Sequence, residues 1–130
     1  MLIKLRKMMK REEGQKGFTL VELIIVMAIL AILAALAVPK FGTVLGSAKE
    51  KARTQNHEMI LNAADLYVAS ETNDDAGYAA ALNDAPIDDT HALVTKGYLK
   101  KAPVDPISDG NYTLSVTVSS GAITSGSVTP

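Results

Sequence analysis

The sequence predicts an α+β protein in which one long N-terminal helix, apolar in its first half and amphipathic in its second, packs on a small C-terminal antiparallel sheet. Residues 18–38 form a run of 21 residues with a single formal charge. Such a run is typical of a helix that crosses a membrane. Residues 111–118, NYTLSVTV, alternate between polar and apolar side chains. That alternation is typical of a half-buried strand.

The net charge of −1 conceals a strong asymmetry along the chain. Residues 1–17 carry six basic and two acidic side chains, a net charge of +4, whereas residues 18–130 carry seven basic and twelve acidic ones, a net charge of −5. A basic segment directly before an apolar run is typical of the cytoplasmic flank of a membrane helix. The acidic remainder argues against nucleic acid as the main partner, because it offers little to neutralise phosphates.

The composition also excludes several kinds of site. The chain has no cysteine, so disulfides, thiolate metal ligands and cysteine nucleophiles are ruled out. Its two histidines, His57 and His91, lie too far apart for a recognised metal-ligand spacing. No catalytic constellation or phosphate-binding loop can be proposed from the remaining residues. We therefore expect no enzyme activity, no cofactor and no metal, with one calcium candidate treated below.

The apolar run predicts a membrane-spanning helix over residues 18–39. A spanning helix needs roughly 20 apolar residues, and in lipid the backbone must satisfy its own hydrogen bonds. The run is too long for the core of an ordinary secretory signal. A plain signal anchor remains the simple alternative, but it does not explain the carboxylate of Glu22 inside the run.

Glu22 needs a cationic partner that its own apolar run does not contain. An intramembrane carboxylate is usually paired and functional. Cleavage after Gly17 would give Phe18 a free α-amino group, which could pair with Glu22 of a neighbouring copy. At about 4 Å such a pair is worth roughly 1 to 4 kcal/mol, depending on the local dielectric. We therefore interpret Glu22 as the residue that sets the register between identical helices.

The segment KGFTLVELIIVMAILAILAALAVP resembles the leader and N-terminal helix of type IV prepilins and type II secretion pseudopilins. The resemblance covers about residues 14–45 and includes a basic leader ending in glycine, an aromatic first mature residue, a carboxylate at the fifth mature position and a closing proline. It implies that a prepilin peptidase removes residues 1–17 by cutting between Gly17 and Phe18 and then N-methylates Phe18. It also implies a pilin-like fold.

The resemblance further implies a cytoplasmic-membrane storage pool and extrusion into a helical homo-oligomeric filament by an assembly platform and a cytoplasmic ATPase. The leading interpretation is the subunit of an extracellular type IV pilus. The alternative is a major pseudopilin of a type II secretion or DNA-uptake system, in a short periplasmic or wall-spanning filament. A third interpretation is a monomeric, signal-anchored protein whose function lies in residues 70–130.

Residues 40–72 predict an amphipathic helix that continues the apolar one. We expect a helix break near Pro39, Gly42 and Gly46, because proline removes a backbone donor and glycine has low helix propensity. The predicted buried stripe recurs mostly at steps of three and four residues. It consists of Phe41, Val44, Leu45, Ala48, Ala52, Met59, Ile60, Ala63 and Tyr67.

Residues 73–130 predict a small globular domain. Residues 70–89 favour a loop with a short helical turn. Leu93, Val94, Tyr98 and Leu99 are the expected packing residues of the next segment. The strand at 111–118 is followed by a turn sequence, SSGA, and by a weaker strand, AITSGSVTP.

The segment GYLKKAPVDPISDGNY resembles a loop of major pseudopilins that can hold calcium. The proline-x-aspartate-proline run matches, but ISDG stands where those proteins have Trp-Gly. Asp105, Asp109 and Asn111 are the calcium candidates, because their oxygens are hard ligands. The alternative is turn chemistry, since Asp-Gly-Asn is a strong turn sequence by itself.

Overall fold

The computed structural model describes residues 17–130 and confirms the α+β class. Within these residues, three helices are followed by a two-stranded antiparallel sheet. The first helix is long and the other two are short. The elements are α1 (Leu20–Ser70), α2 (Asp75–Leu82), α3 (Ala92–Thr95), β1 (Thr113–Ser119) and β2 (Ala122–Thr129).

Helix α1 begins at Leu20, two residues after the predicted start at Phe18. Thr19 precedes the helix, and its Oγ1 accepts a hydrogen bond of 3.2 Å from the backbone N–H of Glu22. This is one half of a capping box, T-x-x-E, which satisfies a donor that the first turn leaves free. The helix begins directly after its cap residue, Thr19, so Phe18 lies outside it.

The predicted single long helix is confirmed, and the expected weakening at Pro39, Gly42 and Gly46 stays a prediction. Helix α1 runs through Pro39, Gly42 and Gly46 without ending at any of them. Proline removes one hydrogen bond and crowds one turn, at a cost of about 3 kcal/mol. The turns on both sides keep their own hydrogen bonds, so a helix of 51 residues accommodates this local cost.

The chain divides into two units, one ending at Thr43 and the other running from Val44 to Pro130. The second unit has its own apolar core around one face of α1. That face comprises Ile60, Ala63, Ala64, Tyr67 and Val68. The predicted buried stripe is wrong in most of its first half. Phe41, Val44, Leu45 and Ala48 are exposed, and Met59 is 44% exposed as well.

Two capped short helices connect α1 to the sheet. Asp74 caps α2 by accepting from the N–H of Gly77 at 2.8 Å. The buried His91 caps α3, because its Nδ1 accepts from the N–H of Leu93 at 3.2 Å. Leu93 and Leu99 are buried and Val94 and Tyr98 are partly buried, so the predicted packing residues of this segment are confirmed.

The hairpin follows the predicted alternation closely. Tyr112, Leu114 and Val116 are buried, whereas Ser115 and Thr117 are exposed. Ser120 and Gly121 both have positive φ, of 55° and 73°, as a two-residue hairpin turn matched to strand twist requires. The strands pair from Thr113↔Thr129 to Ser119↔Ala122, with a register shift between Thr117 and Val118.

At Val116 the backbone of β1 is paired by an asparagine side chain. Asn83 Nδ2 donates to the carbonyl of Val116 at 2.8 Å, and its Oδ1 accepts from the N–H of Val116 at 2.6 Å. Asn83 therefore pairs with β1 much as a neighbouring strand residue would. This contact attaches the end of α2 to the sheet.

Candidate functional site

The junction between Gly17 and Phe18 lies outside any helix or strand. Phe18 is 88% exposed, and a Cβ built on Gly17 meets no atom within 4 Å. A protease acts on backbone that it can grip in an extended form, and glycine leaves that approach open. The local structure is therefore suited to cleavage at the position that the sequence predicts.

Glu22 lies in the first turn of α1 and is exposed. A carboxylate there is stabilised by the positive end of the helix dipole. Its backbone N–H is bonded to Thr19, but its carboxylate accepts no hydrogen bond from residues 17–130. Thr19 is a residue that our sequence reasoning missed, although T-x-x-E before an apolar run is a recognisable signal.

The apolar part of α1 exposes its side chains on all sides. Among residues 17–130, α1 is long and apolar enough to cross a membrane, and none of its most apolar part is buried. An exposed apolar surface of this extent marks a lipid or protein contact. The most exposed large side chains of this span include Leu20, Leu36, Val38 and Phe41.

A buried ion pair attaches the loop before β1 to α1. The Asp105 carboxylate, fully buried, accepts from Arg53 Nε at 2.7 Å and from Nη2 at 2.6 Å. It also accepts from the N–H and Oγ of Ser108, at 2.8 and 2.7 Å, and from the Tyr112 hydroxyl at 3.2 Å. The Arg53 guanidinium is the main reason that the pKa of Asp105 lies well below its usual range.

The same contacts bear on the calcium candidates. Both Asp105 oxygens accept hydrogen bonds from protein donors, so a calcium ion would have to displace Arg53. Asp109 has a φ of 56° and donates its N–H to the Asp105 carbonyl, and Asn111 pairs with Val104. Residues 17–130 contain no group of three acidic or histidine residues placed to hold a metal. The calcium site stays a prediction. In the structure these residues form the hydrogen bonds of a turn.

A second, more exposed cluster lies at the C-terminal end of α1. Lys96 Nζ lies 2.6 Å from Glu71 Oε2 and 5.5 Å from the centre of the Tyr67 ring. Tyr98 donates its hydroxyl to Glu71 Oε1 at 3.0 Å. The hydrogen bond from Lys96 is the main reason that the pKa of Glu71 lies below its ordinary value. Exposed pairs of this kind contribute little stability, so we assign the cluster a positioning role for the segment after α3.

Comparison with known proteins identifies the N-terminal segment alone. Residues 14–38 match the family model described as the prokaryotic N-terminal methylation motif. No curated protein and no solved structure matches the chain. The motif is one of structural, pilin-type proteins, and it implies processing by a prepilin peptidase and a membrane-anchored precursor. Residues 14–38 thus carry the N-terminal methylation motif that accompanies the class III leader of type IV pilins and pseudopilins.

Proposed function

We propose that this chain is the structural subunit of a type IV pilus and that it polymerises through its N-terminal helix. The observation that carries the proposal is the carboxylate of Glu22, which lies next to the predicted cleavage site with no partner among residues 17–130. A costly charge in an apolar segment is kept where it has a function. Cleavage between Gly17 and Phe18 supplies the missing cation.

The pairing follows from the position of the new amine. Methylation of the Phe18 amine leaves it cationic, so the pairing survives this modification. The Glu22 of a copy displaced along the helix axis offers the counter-charge that a buried amine needs. Phe18 and Glu22 therefore set the axial step between neighbouring copies.

The apolar surface decides which environments the first part of α1 can occupy. In the membrane, lipid covers the exposed side chains of the first part of α1. In a filament, the same side chains are covered by the helices of other copies, which replace lipid as the apolar environment. Burial of apolar surface contributes about 25 cal/mol per Å² relative to water, so the helices cannot leave the membrane singly.

The test is to express Glu22→Ala and to measure three quantities separately: the membrane pool, leader removal and surface fibres. We expect a normal pool and normal cleavage, because a costly charge is removed and the Gly17–Phe18 junction is untouched. We expect fibres to be lost, because the incoming amine is buried without a counter-charge. Wild-type fibres should contain a chain that begins at Phe18 and is one methyl group heavier than calculated.

Two further variants make the test specific. Glu22→Asp keeps the charge with a shorter reach, so we expect an intermediate fibre yield. Glu50→Ala removes an exposed glutamate of the same helix outside the apolar span, and we expect normal fibres from it. Normal fibres from Glu22→Ala would overturn the pairing, and a mature chain that starts at Met1 would overturn the assignment as a whole.

The second candidate is a major pseudopilin. The loop from Pro103 to Tyr112, organised around the buried Asp105, favours it, because this loop resembles the one in those proteins. Long surface fibres support the pilus subunit. A short assembly that is required for protein secretion or DNA uptake, without long fibres, supports the pseudopilin.

A further inference from the structure

The second unit carries a groove with an apolar floor and a basic rim. Two adjoining depressions share Met59 and Tyr98 and so form one continuous groove along α1. Lys100 and Lys101 lie at one end, next to Val104, which is 47% exposed. We call this end the basic groove. Both lysines are exposed, and neither forms a salt bridge with a residue among 17–130.

A loop of opposite character lies between α2 and α3. Residues 72–95 contain five acidic residues and no lysine or arginine. Asp84 and Asp89 are exposed and accept no hydrogen bond from residues 17–130, whereas Asp88 accepts from Thr90. Ala85 and Pro86 lie between the free carboxylates and are exposed as well. We call residues 84–89 the acidic loop.

Asp84 adds a conformational observation. Its φ is 64°, in the left-handed region that favours glycine. Strained backbone of this kind is retained more often at contacts and functional sites than elsewhere. Asp84 also carries one of the two free carboxylates of the acidic loop.

The geometry points to a contact in which the acidic loop of one copy of this chain docks in the basic groove of a second copy. Charge complementarity pairs Asp84 and Asp89 with Lys100 and Lys101, and Ala85 and Pro86 meet the apolar floor at Met59 and Val104. The contact joins two different surfaces, so it is of the head-to-tail type that builds helical filaments. The inference deepens the proposed function and rests on it, because it names the surface through which the second units of neighbouring subunits meet.

The groove also defines where the loop cannot dock. Glu58 and Gln55 line the opposite end, beyond Met59. A carboxylate there repels the acidic loop, and like charges placed together suppress a wrong register. We therefore expect contact at the lysine end alone.

Charge reversal in the full-length chain tests the contact. We expect K100E/K101E and, separately, D84K/D89K to reduce surface fibres about tenfold or more, because each places like charges together. The two variants co-expressed should restore fibres, since each copy then meets an opposite charge. One chain carrying all four changes should restore them too. The matched control K49E/K51E makes the same change of charge on exposed helix residues and should leave fibres normal.

Cysteine cross-linking tests the contact directly, because the chain has no cysteine of its own. K101C and D89C co-expressed in one cell should give an oxidised dimer in fibres that neither variant gives alone. A cross-link to a protein of another mass, or none in intact fibres, would overturn the contact between copies. Normal fibres from both reversed variants would do the same while leaving the pilus assignment in place. Absence of fibres from the wild type would overturn the pilus assignment first.

Discussion

The two halves of α1 have the same backbone conformation and opposite environments. From Leu20 to Thr43 nearly every side chain is exposed, whereas from Ile60 to Val68 one face is buried against the sheet and the short helices. The difference shows what each half needs. The second half completes a core with residues of its own chain, and the first half exposes apolar surface of the kind that marks a lipid or protein contact.

The four tyrosines make this comparison measurable. Tyr67, Tyr78, Tyr98 and Tyr112 all lie in the second unit, and the chain has no tryptophan. Tyr67 packs edge-on against Tyr78 and Tyr98, at centroid distances of 6.3 and 5.5 Å. The near-ultraviolet tyrosine signal of the full-length protein in detergent therefore reports the unfolding of the second unit alone.

The largest expected effect is on processing. Changing Gly17 to leucine should block removal of the leader, because the Cβ and the branched side chain obstruct the extended backbone that a peptidase must grip. The amount of mature chain should fall to background by mass analysis. The tyrosine melting curve should stay at the wild-type temperature, since Gly17 lies in the first unit and all four tyrosines lie in the second. Efficient cleavage of Gly17→Leu would show that glycine is not the determinant.

A paired truncation separates the two halves energetically. Leu114→Ala removes a fully buried side chain from the core and should destabilise the second unit by about 2–5 kcal/mol. Leu30→Ala makes the same change in the apolar span, where the side chain is 59% exposed, and should leave the tyrosine melting temperature unchanged. Equal losses from the two variants would mean that the span and the core unfold as one unit.

Acid should weaken the second unit and spare the helix of the first. Because Arg53 lowers the pKa of Asp105 in the folded state, the folded chain binds fewer protons than the unfolded chain. The stabilisation is therefore complete above the ordinary aspartate pKa of 3.8 and is lost as the pH falls towards the lower folded-state value. Glu71 and Asp88 shift in the same direction.

The measurement is the tyrosine melting temperature between neutral pH and pH 2, with far-ultraviolet helix signal followed in parallel. Arg53→Gln is the informative variant, because it removes the cation and should flatten the acid dependence while lowering stability at neutral pH. An acid dependence as steep in Arg53→Gln as in the wild type would contradict the assignment to the Arg53–Asp105 pair.

Several elements of the fold can be predicted from local sequence patterns. The continuous apolar run predicted the helix, the alternation at 111–118 predicted β1, and SSGA predicted the turn, because each pattern reports a local property of the chain. A charge in an apolar run and a glycine at its basic edge are local patterns as well, and the roles that they predict for Glu22 and Gly17 stay predictions. The cap at Thr19 has a local signal too, T-x-x-E before an apolar run.

The sequence by itself determined where the chain is apolar, where it turns and where a charge lacks a partner. Only the tertiary structure decided which part of the α1 stripe is buried, that α1 continues through Pro39, and that Asp105 binds Arg53, 52 positions away along the chain. The reason is physical. Periodicity and turn chemistry depend on neighbouring residues, whereas burial, the tolerance of a lost hydrogen bond and the partner of a buried charge depend on which distant segments the fold brings together.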